Sequence, residues 1–229
     1  MPTAIITGAS RGLGLALARA LAGKHWNLVI NARGAQALET AKLELEQITR
    51  VTAILGDVSD EVHLDQMIAA AREFGGLDAL VNNASILGSS PQPKLEAYPL
   101  DVLEQVYRVN VFAPLRLIQL ALPIMNAGAR VLNITSDAGI EAYEGWGGYG
   151  SSKAALEQLS KVLAVEHPNL WVYSVDPGDM NTQMHQEAFP GEDISDRPPP
   201  ESSVPGLLKL LEDDLPSGRY QARVLSGAS

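Results

Sequence analysis

Short apolar runs alternate along this chain with longer stretches whose apolar residues recur every third or fourth position. The runs cover residues 3–7, 28–32, 51–55, 79–82, 130–135 and 170–175. Most are rich in Val and Ile and bounded by Gly, Asn, Asp or Pro, the pattern of strands buried on both faces of a parallel sheet. Between them, Leu13, Ala16, Leu17, Ala20 and Leu21 share one helical face. So do Leu38, Ala41, Leu45 and Ile48, and again Leu64, Met67, Ile68 and Ala71. Further helices are predicted near residues 101–126, 150–165 and 202–212, and a weak last strand near 219–225. Such alternation builds right-handed βαβ units, so the expected fold is α/β, a doubly wound parallel sheet (Rossmann fold) with helices on both faces. Residues 177–200 are irregular and end in Pro198-Pro199-Pro200. They leave the carboxyl end of a strand, where open α/β sheets bind ligands, so they are expected to form a loop over a substrate.

The chain length suits one domain over residues 1–229. Composition changes the picture mainly by exclusion. Hydrophobic residues make up 46% and charged residues 19%, ordinary values for a globular protein. The net charge of −10 opposes binding to nucleic acid or to an anionic membrane, so neither is an expected partner. There are no cysteines, which rules out disulfides, thiolate metal sites and cysteine nucleophiles. The four histidines, His25, His63, His167 and His185, are scattered without metal-ligand spacing and read as surface or loop residues; no metal is expected. The first residues lack the basic start and apolar run of a signal peptide, and no stretch reaches the ~20 apolar residues of a membrane span, so a cytoplasmic location is expected.

Between the first strand and the first helix lies Thr-Gly-Ala-Ser-Arg-Gly-Leu-Gly, residues 7–14. Gly8, Gly12 and Gly14 let the backbone turn tightly and approach a pyrophosphate, and a helix starting near Gly12 aims free N–H groups and its positive dipole end at that anion. Placed between an apolar strand and an amphipathic helix, this pattern points to a dinucleotide. The second strand ends Val-Ile-Asn-Ala-Arg, residues 29–33, without the acid that binds an unphosphorylated ribose. Arg33 and Arg11 suit a 2′-phosphate instead, so NADPH is expected over NADH.

The glycine spacing, with Tyr-Gly-Ser-Ser-Lys at residues 149–153, resembles the short-chain dehydrogenase/reductase family. Further motifs extend the resemblance over nearly the whole chain: Gly-Asp-Val-Ser (56–59), Asn-Asn-Ala-Ser (82–85), Val-Asn (109–110), Asn-Ile-Thr-Ser-Asp-Ala-Gly (133–139) and Asp-Pro-Gly-Asp-Met-Asn-Thr (176–182). Ser85 stands where the family usually has Gly. The resemblance implies an oxidoreductase that moves hydride between a nicotinamide and a small to medium carbonyl or alcohol substrate. It implies cofactor contacts from Ser10, Arg11, Leu13, Asp57, Val58, Asn83 and Ala84, with Asp57 on the adenine. Pro177 and Gly178 would shape the nicotinamide end, and Thr182 would bond the carboxamide. It also implies pairing through the helices around Asn110 and Lys153, as a homodimer or homotetramer.

Hydride transfer to a ketone leaves charge on the carbonyl oxygen, which needs a proton donor and a stabilising group. Tyr149 is the candidate acid/base. Lys153, one helical turn away, is expected to lower the phenol's pKa by its charge. By resemblance Lys153 also binds the nicotinamide ribose, Ser136 orients the substrate oxygen, and Asn110 holds a water in a proton relay. Thr135 competes with Ser136, and the family spacing selects Ser136. Asp137 would disfavour anionic substrates if it faced the pocket, and otherwise points into solvent. Ile86, Leu87, Tyr143, Trp146 and Met184 are candidates for an apolar substrate surface. A non-catalytic NADP-binding sensor or scaffold is the alternative, but it has no use for Tyr149, Lys153, Ser136 and Asn110 together. Sugar-nucleotide epimerases and dehydratases share the Tyr/Lys pair, yet they space their glycines differently and carry a larger C-terminal region.

Overall fold

Seven strands pair in parallel: β1 (Thr3–Ile6), β2 (Asn27–Ala32), β3 (Val51–Leu55), β4 (Leu77–Asn82), β5 (Met125–Ile134), β6 (Trp171–Asp176) and β7 (Gly218–Gln221). Their order in the sheet of this computed structural model, which describes residues 1–227, is β3-β2-β1-β4-β5-β6-β7. Successive strand residues enter two different cores, as the two faces of a pleated sheet require. Ala4 and Ile6 pack in one core and Ile5 in the other; Leu28 and Ile30 are split in the same way from Val29, and Ala79 and Val81 from Leu80.

The first core is closed by α1 (Gly12–Gly23), α2 (Ala35–Leu45), α8 (Val204–Glu212) and the short α9 (Ala222–Leu225). The second is closed by α3 (Glu61–Glu73), α5 (Ala113–Ala121) and α6 (Gly147–Glu166). α4 (Leu100–Tyr107) leads into α5, and α7 (Gln183–Ala188) lies beyond the carboxyl ends of the strands. The chain winds to β2 and β3 on one side of β1 and to β4 on the other. The loops after β1 and β4 therefore diverge and leave a crevice. Among the described residues, no helix is long and apolar enough to cross a membrane.

Several boundaries differ from the sequence pattern, and β5 begins at Met125, five residues before the run at 130–135 and within the stretch expected to be helical. α2 stops at Leu45, leaving Ile48 on the surface. The helix expected over 101–126 is broken by a π turn at Arg108–Phe112. Pro114 has no N–H to give the carbonyl of Asn110 four residues back, so the ladder widens there. The last strand ends at Gln221 rather than 225, because its partner β6 ends at Asp176 and offers nothing further to pair with. The stretch 177–200 is not wholly irregular. Thr182 caps α7 by accepting the His185 N–H at 3.2 Å, and Met184 and Ala188 pack against Leu87, Ala138 and Tyr149.

Candidate active site

Thr7 and Asn83 lash the two diverging loops together. The Thr7 hydroxyl oxygen accepts the N–H groups of Asn83 and Ala84, each at 2.9 Å. The Asn83 amide donates back to the Thr7 and Gly8 carbonyls, at 2.8 and 3.1 Å. Gly8 and Gly12 have φ of +66° and +55°, in the left-handed region where a side chain is disfavoured. Gly14 serves differently. It lies beneath the loop, where an added Cβ would sit 2.5 Å from the Gly8 carbonyl and 2.6 Å from the Asn83 amide.

Asn31 supports the same loop, and sequence reasoning missed that role. Its Oδ1 accepts the Gly8 N–H at 3.3 Å, and its Nδ2 donates to the Gly56 carbonyl at 2.9 Å and faces the His63 Nε2 at 2.6 Å. A polar residue ending an otherwise apolar strand was the available signal. His63 is not on the surface as expected but buried, in space that the missing side chain of Gly56 leaves open. Burial pulls its pKa down against the pull of Asp60 and Asp57, which keeps the ring neutral and able to accept.

Above this floor runs a groove of about 760 Å³. Gly8, Ser10, Arg11, Gly12 and Leu13 line its middle, Arg33, Asp57 and Val58 one end, and Asn83, Ala84, Tyr149, Lys153 and Thr182 the other. Its size, its two left-handed glycines and the α1 N-terminus fit a nicotinamide dinucleotide. Arg33 lies 3.6 Å from Asp57, and Arg11 donates to the Gln183 side chain of α7. Burial acts to raise the Asp57 pKa, but the Ser59 N–H and hydroxyl, with the Arg33 charge, outweigh it and hold the carboxyl below its usual range.

A second cavity, of about 100 Å³, opens beyond Tyr149. Leu87, Ser136, Asp137, Trp146 and Met184 line it, together with Pro177 and Gly178, which do not line the groove. Tyr149, Met180, Thr182 and Met184 border both spaces. Ile86 faces the groove instead, and Tyr143 is an exposed residue that reaches the site through Asp137. Asp137 is half-buried and lines the cavity rather than pointing away from it. Ser136 donates to its Oδ1 at 2.9 Å, and the Ser136 oxygen accepts the Ala138 N–H at 3.2 Å. Thr135 lines the cavity too, with its hydroxyl buried and unpartnered among the described residues.

Tyr149 opens α6, and its ring meets Trp146 edge-on with 5.9 Å between centroids. The Lys153 Nζ lies 5.3 Å from the centre of that ring and donates to the Ile134 carbonyl at 2.8 Å. Burial dominates both groups. It pushes the Tyr149 phenol above its ordinary value, against a hydrogen bond from Ser85, with Asp176 and Asp137 adding to the rise. It pulls Lys153 down to about 7. The lowered phenol expected from the Tyr/Lys spacing is therefore not found in the chain alone, where burial raises the phenol and weakens the Lys153 charge. Asn110, inside the π turn, has all its side-chain hydrogen-bonding positions engaged. It accepts from Ile86 N at 2.9 Å and Ser85 Oγ at 3.1 Å, and donates to Ile86 O at 2.9 Å and Ser152 Oγ at 3.0 Å. Its side chain thus clamps the loop after β4 to α6 rather than reaching Lys153. Among the described residues no cluster of His, Asp or Glu could hold a metal.

The chain matches a family model described as short chain dehydrogenase over residues 2–193. It is 38% identical over 193 residues to the rhamnolipids biosynthesis 3-oxoacyl-[acyl-carrier-protein] reductase of Pseudomonas aeruginosa, covering 79% of this chain and 73% of that protein. A short chain dehydrogenase structure from Pseudomonas syringae superposes with a TM-score of 0.91 at 30% identity, over 96% of this chain and 94% of the other. A short chain dehydrogenase from Shigella flexneri complexed with NADP superposes with a TM-score of 0.88 at 25% identity, over 97% of both chains.

Proposed function

The chain belongs to the short-chain dehydrogenase family of oxidoreductases, and from that premise we propose that it reduces a small to medium carbonyl compound with NADPH, Tyr149 acting as the general acid. The observation that carries this reading is the position of Tyr149 where the long groove meets the small cavity. A group there can touch what occupies either space. Bound in the groove, the nicotinamide would supply the hydride. Tyr149 gives its proton to the carbonyl oxygen in the cavity, and burial has kept that proton in place. Ser136 orients the same oxygen by hydrogen bonding. Lys153 steadies the ring from below and, once protonated, favours the anion that the proton's departure leaves. Asn110 holds the loop and helix on which these groups depend.

The preference for NADPH rests on Arg11 and Arg33, which both line the groove, with no acid ending β2. The Shigella flexneri structure complexed with NADP supports it. Exposed Phe112, Val162 and Val165 near the π turn and along α6 support assembly into a dimer or tetramer. NADPH oxidation against a panel of aldehydes, ketones and quinones tests the activity. Tyr149→Phe should bind NADPH as the wild type does and turn over about a hundredfold more slowly or worse. Unchanged turnover in that variant removes Tyr149 from the chemistry.

A further inference from the structure

We propose that Asp137 makes this site selective for carbonyl compounds bearing a cationic group near the carbonyl, such as an ammonium; this rests on the reductase reading above. Four ionisable carboxylate or imidazole groups line the small cavity, Asp137, Asp176, Asp179 and His185, and no Lys or Arg does. Two of the three carboxylates lie within 4 Å of an arginine. Asp176 lies 3.2 Å from Arg219, which Glu157 shares at 2.9 Å, and Asp179 lies 3.8 Å from Arg197, which Asp196 shares at 2.8 Å. Asp137 has no cationic partner among the described residues; its oxygens are held by Ser136, the Ala138 N–H and the Tyr143 hydroxyl. It is half-buried and lines the cavity, so its charge faces whatever occupies that space.

Trp146 lines the same wall and packs edge-on against Tyr143, with centroids 6.4 Å apart. An aromatic ring and an unneutralised carboxylate together attract a positive group through the quadrupole and through charge-assisted hydrogen bonds. An anion in the same place would lose its hydration and find no partner. The hydroxyl of Thr135, 2% exposed, remains unpartnered in this lining, so the protein does not use all the polar capacity it places there.

The carboxylate has a second effect on the reaction. Ser136 now gives its proton to Asp137. A neutral ketone must compete with Asp137 for that proton. A cation paired with Asp137 weakens the acceptor and releases Ser136 towards the carbonyl oxygen. Selectivity should therefore appear in kcat as well as in KM.

The test compares an α-ammonio ketone, its ethyl-ketone isostere and a β-keto acid, in the wild type and in Asp137→Asn. The variant keeps the shape and an acceptor for Ser136 but removes the charge. The kcat/KM preference for the ammonium over its isostere should fall tenfold or more in Asp137→Asn, equivalent to about 1.4 kcal/mol. The keto acid should improve over the same change. A preference unchanged by the substitution overturns the proposal. Calorimetric titration of the NADP-bound enzyme with the same three ketones reads charge preference without turnover. Selective binding of the ammonium ketone that is lost in Asp137→Asn, with no turnover of any compound, would sink the reductase reading and leave the charge preference standing. Equal affinity for all three sinks the charge preference whatever the turnover.

Discussion

Replacing Lys153 by methionine should make the cofactor-free protein more stable at neutral pH and abolish a pH dependence that the wild type carries. Lys153 is 2% exposed, and burial takes its pKa from 10.5 to about 7. The folded state therefore resists a proton that the unfolded chain binds readily. Because the folded pKa is the lower one, the unfolded state holds more protons between pH 7 and 10.5, and stability climbs as pH rises through that window. At about 1.4 kcal/mol per unit, the cost is roughly 4 kcal/mol at pH 7 and nearly gone by about pH 10. Methionine has similar volume and no charge, but it leaves the Ile134 carbonyl without its donor, a loss of about 1–3 kcal/mol. The variant should gain about 1–3 kcal/mol at pH 7 and lose that advantage by about pH 10. In a chain of this size 1 kcal/mol moves Tm by about 2–4 °C, so a gap of roughly 5 °C at pH 7 should shrink through zero. Thermal unfolding followed by circular dichroism in stepped buffers reads it directly. Burial keeps the folded-state Tyr149 phenol protonated through this window, so its own titration adds little to the difference. A gap of constant size from pH 7 to 10 would refute the argument, since it would mean that the buried amine keeps its ordinary pKa.

Arg33→Ala should weaken NADPH about tenfold or more while changing NADH little, because only the phosphorylated ribose would lose a charge-assisted partner; equal losses in paired KM measurements would defeat the 2′-phosphate argument. Gly14→Ala should destabilise the fold by about 1–3 kcal/mol and weaken cofactor binding, because the new methyl must push apart the Gly8 carbonyl and the Asn83 amide. Wild-type Tm together with wild-type cofactor affinity in that variant would show that the loop yields more freely than its packing implies.

Much of the frame was legible from sequence because the signals were local. Buried parallel strands such as 28–32 are continuous apolar runs, and the glycine loop is a turn followed by a helix, so neither needs distant partners to be read. Boundaries failed where a tertiary partner decided them, as at Gln221, where β6 runs out. The π turn could have been anticipated from Pro114, whose missing N–H removes one rung of the ladder. Candidate residues on opposite sides of the crevice, most of which line the groove or the small cavity, were proposed from motifs. The contacts between motifs were not, because Asn31 with Gly8 and Asn110 with Ser152 are separated by 23 and 42 positions. Asp137 shows the same limit. Its identity was plain, but its direction was fixed by Ser136 and by Tyr143 six residues on.

In the chain alone the Tyr149 pKa differs from the spacing-based expectation for a deeper reason. Spacing fixes which charges are near, but not how much water is removed, and here depth outweighs adjacency. The same burial that raises the phenol also weakens the cation meant to lower it. Tyr149 and Lys153 cannot then be treated as a ready-made phenolate and ammonium. What acts downward on the phenol within the chain is Ser85, at the position where the family motif usually has Gly. A phenol held protonated can donate at once, so reduction requires no prior ionisation at Tyr149. Oxidation would first have to remove that proton, and burial weakens the Lys153 charge that could favour its departure. On the reading proposed above, a phenol that burial keeps protonated is disposed to give its proton to a carbonyl oxygen, and that disposition comes from how far both side chains lie beneath the surface.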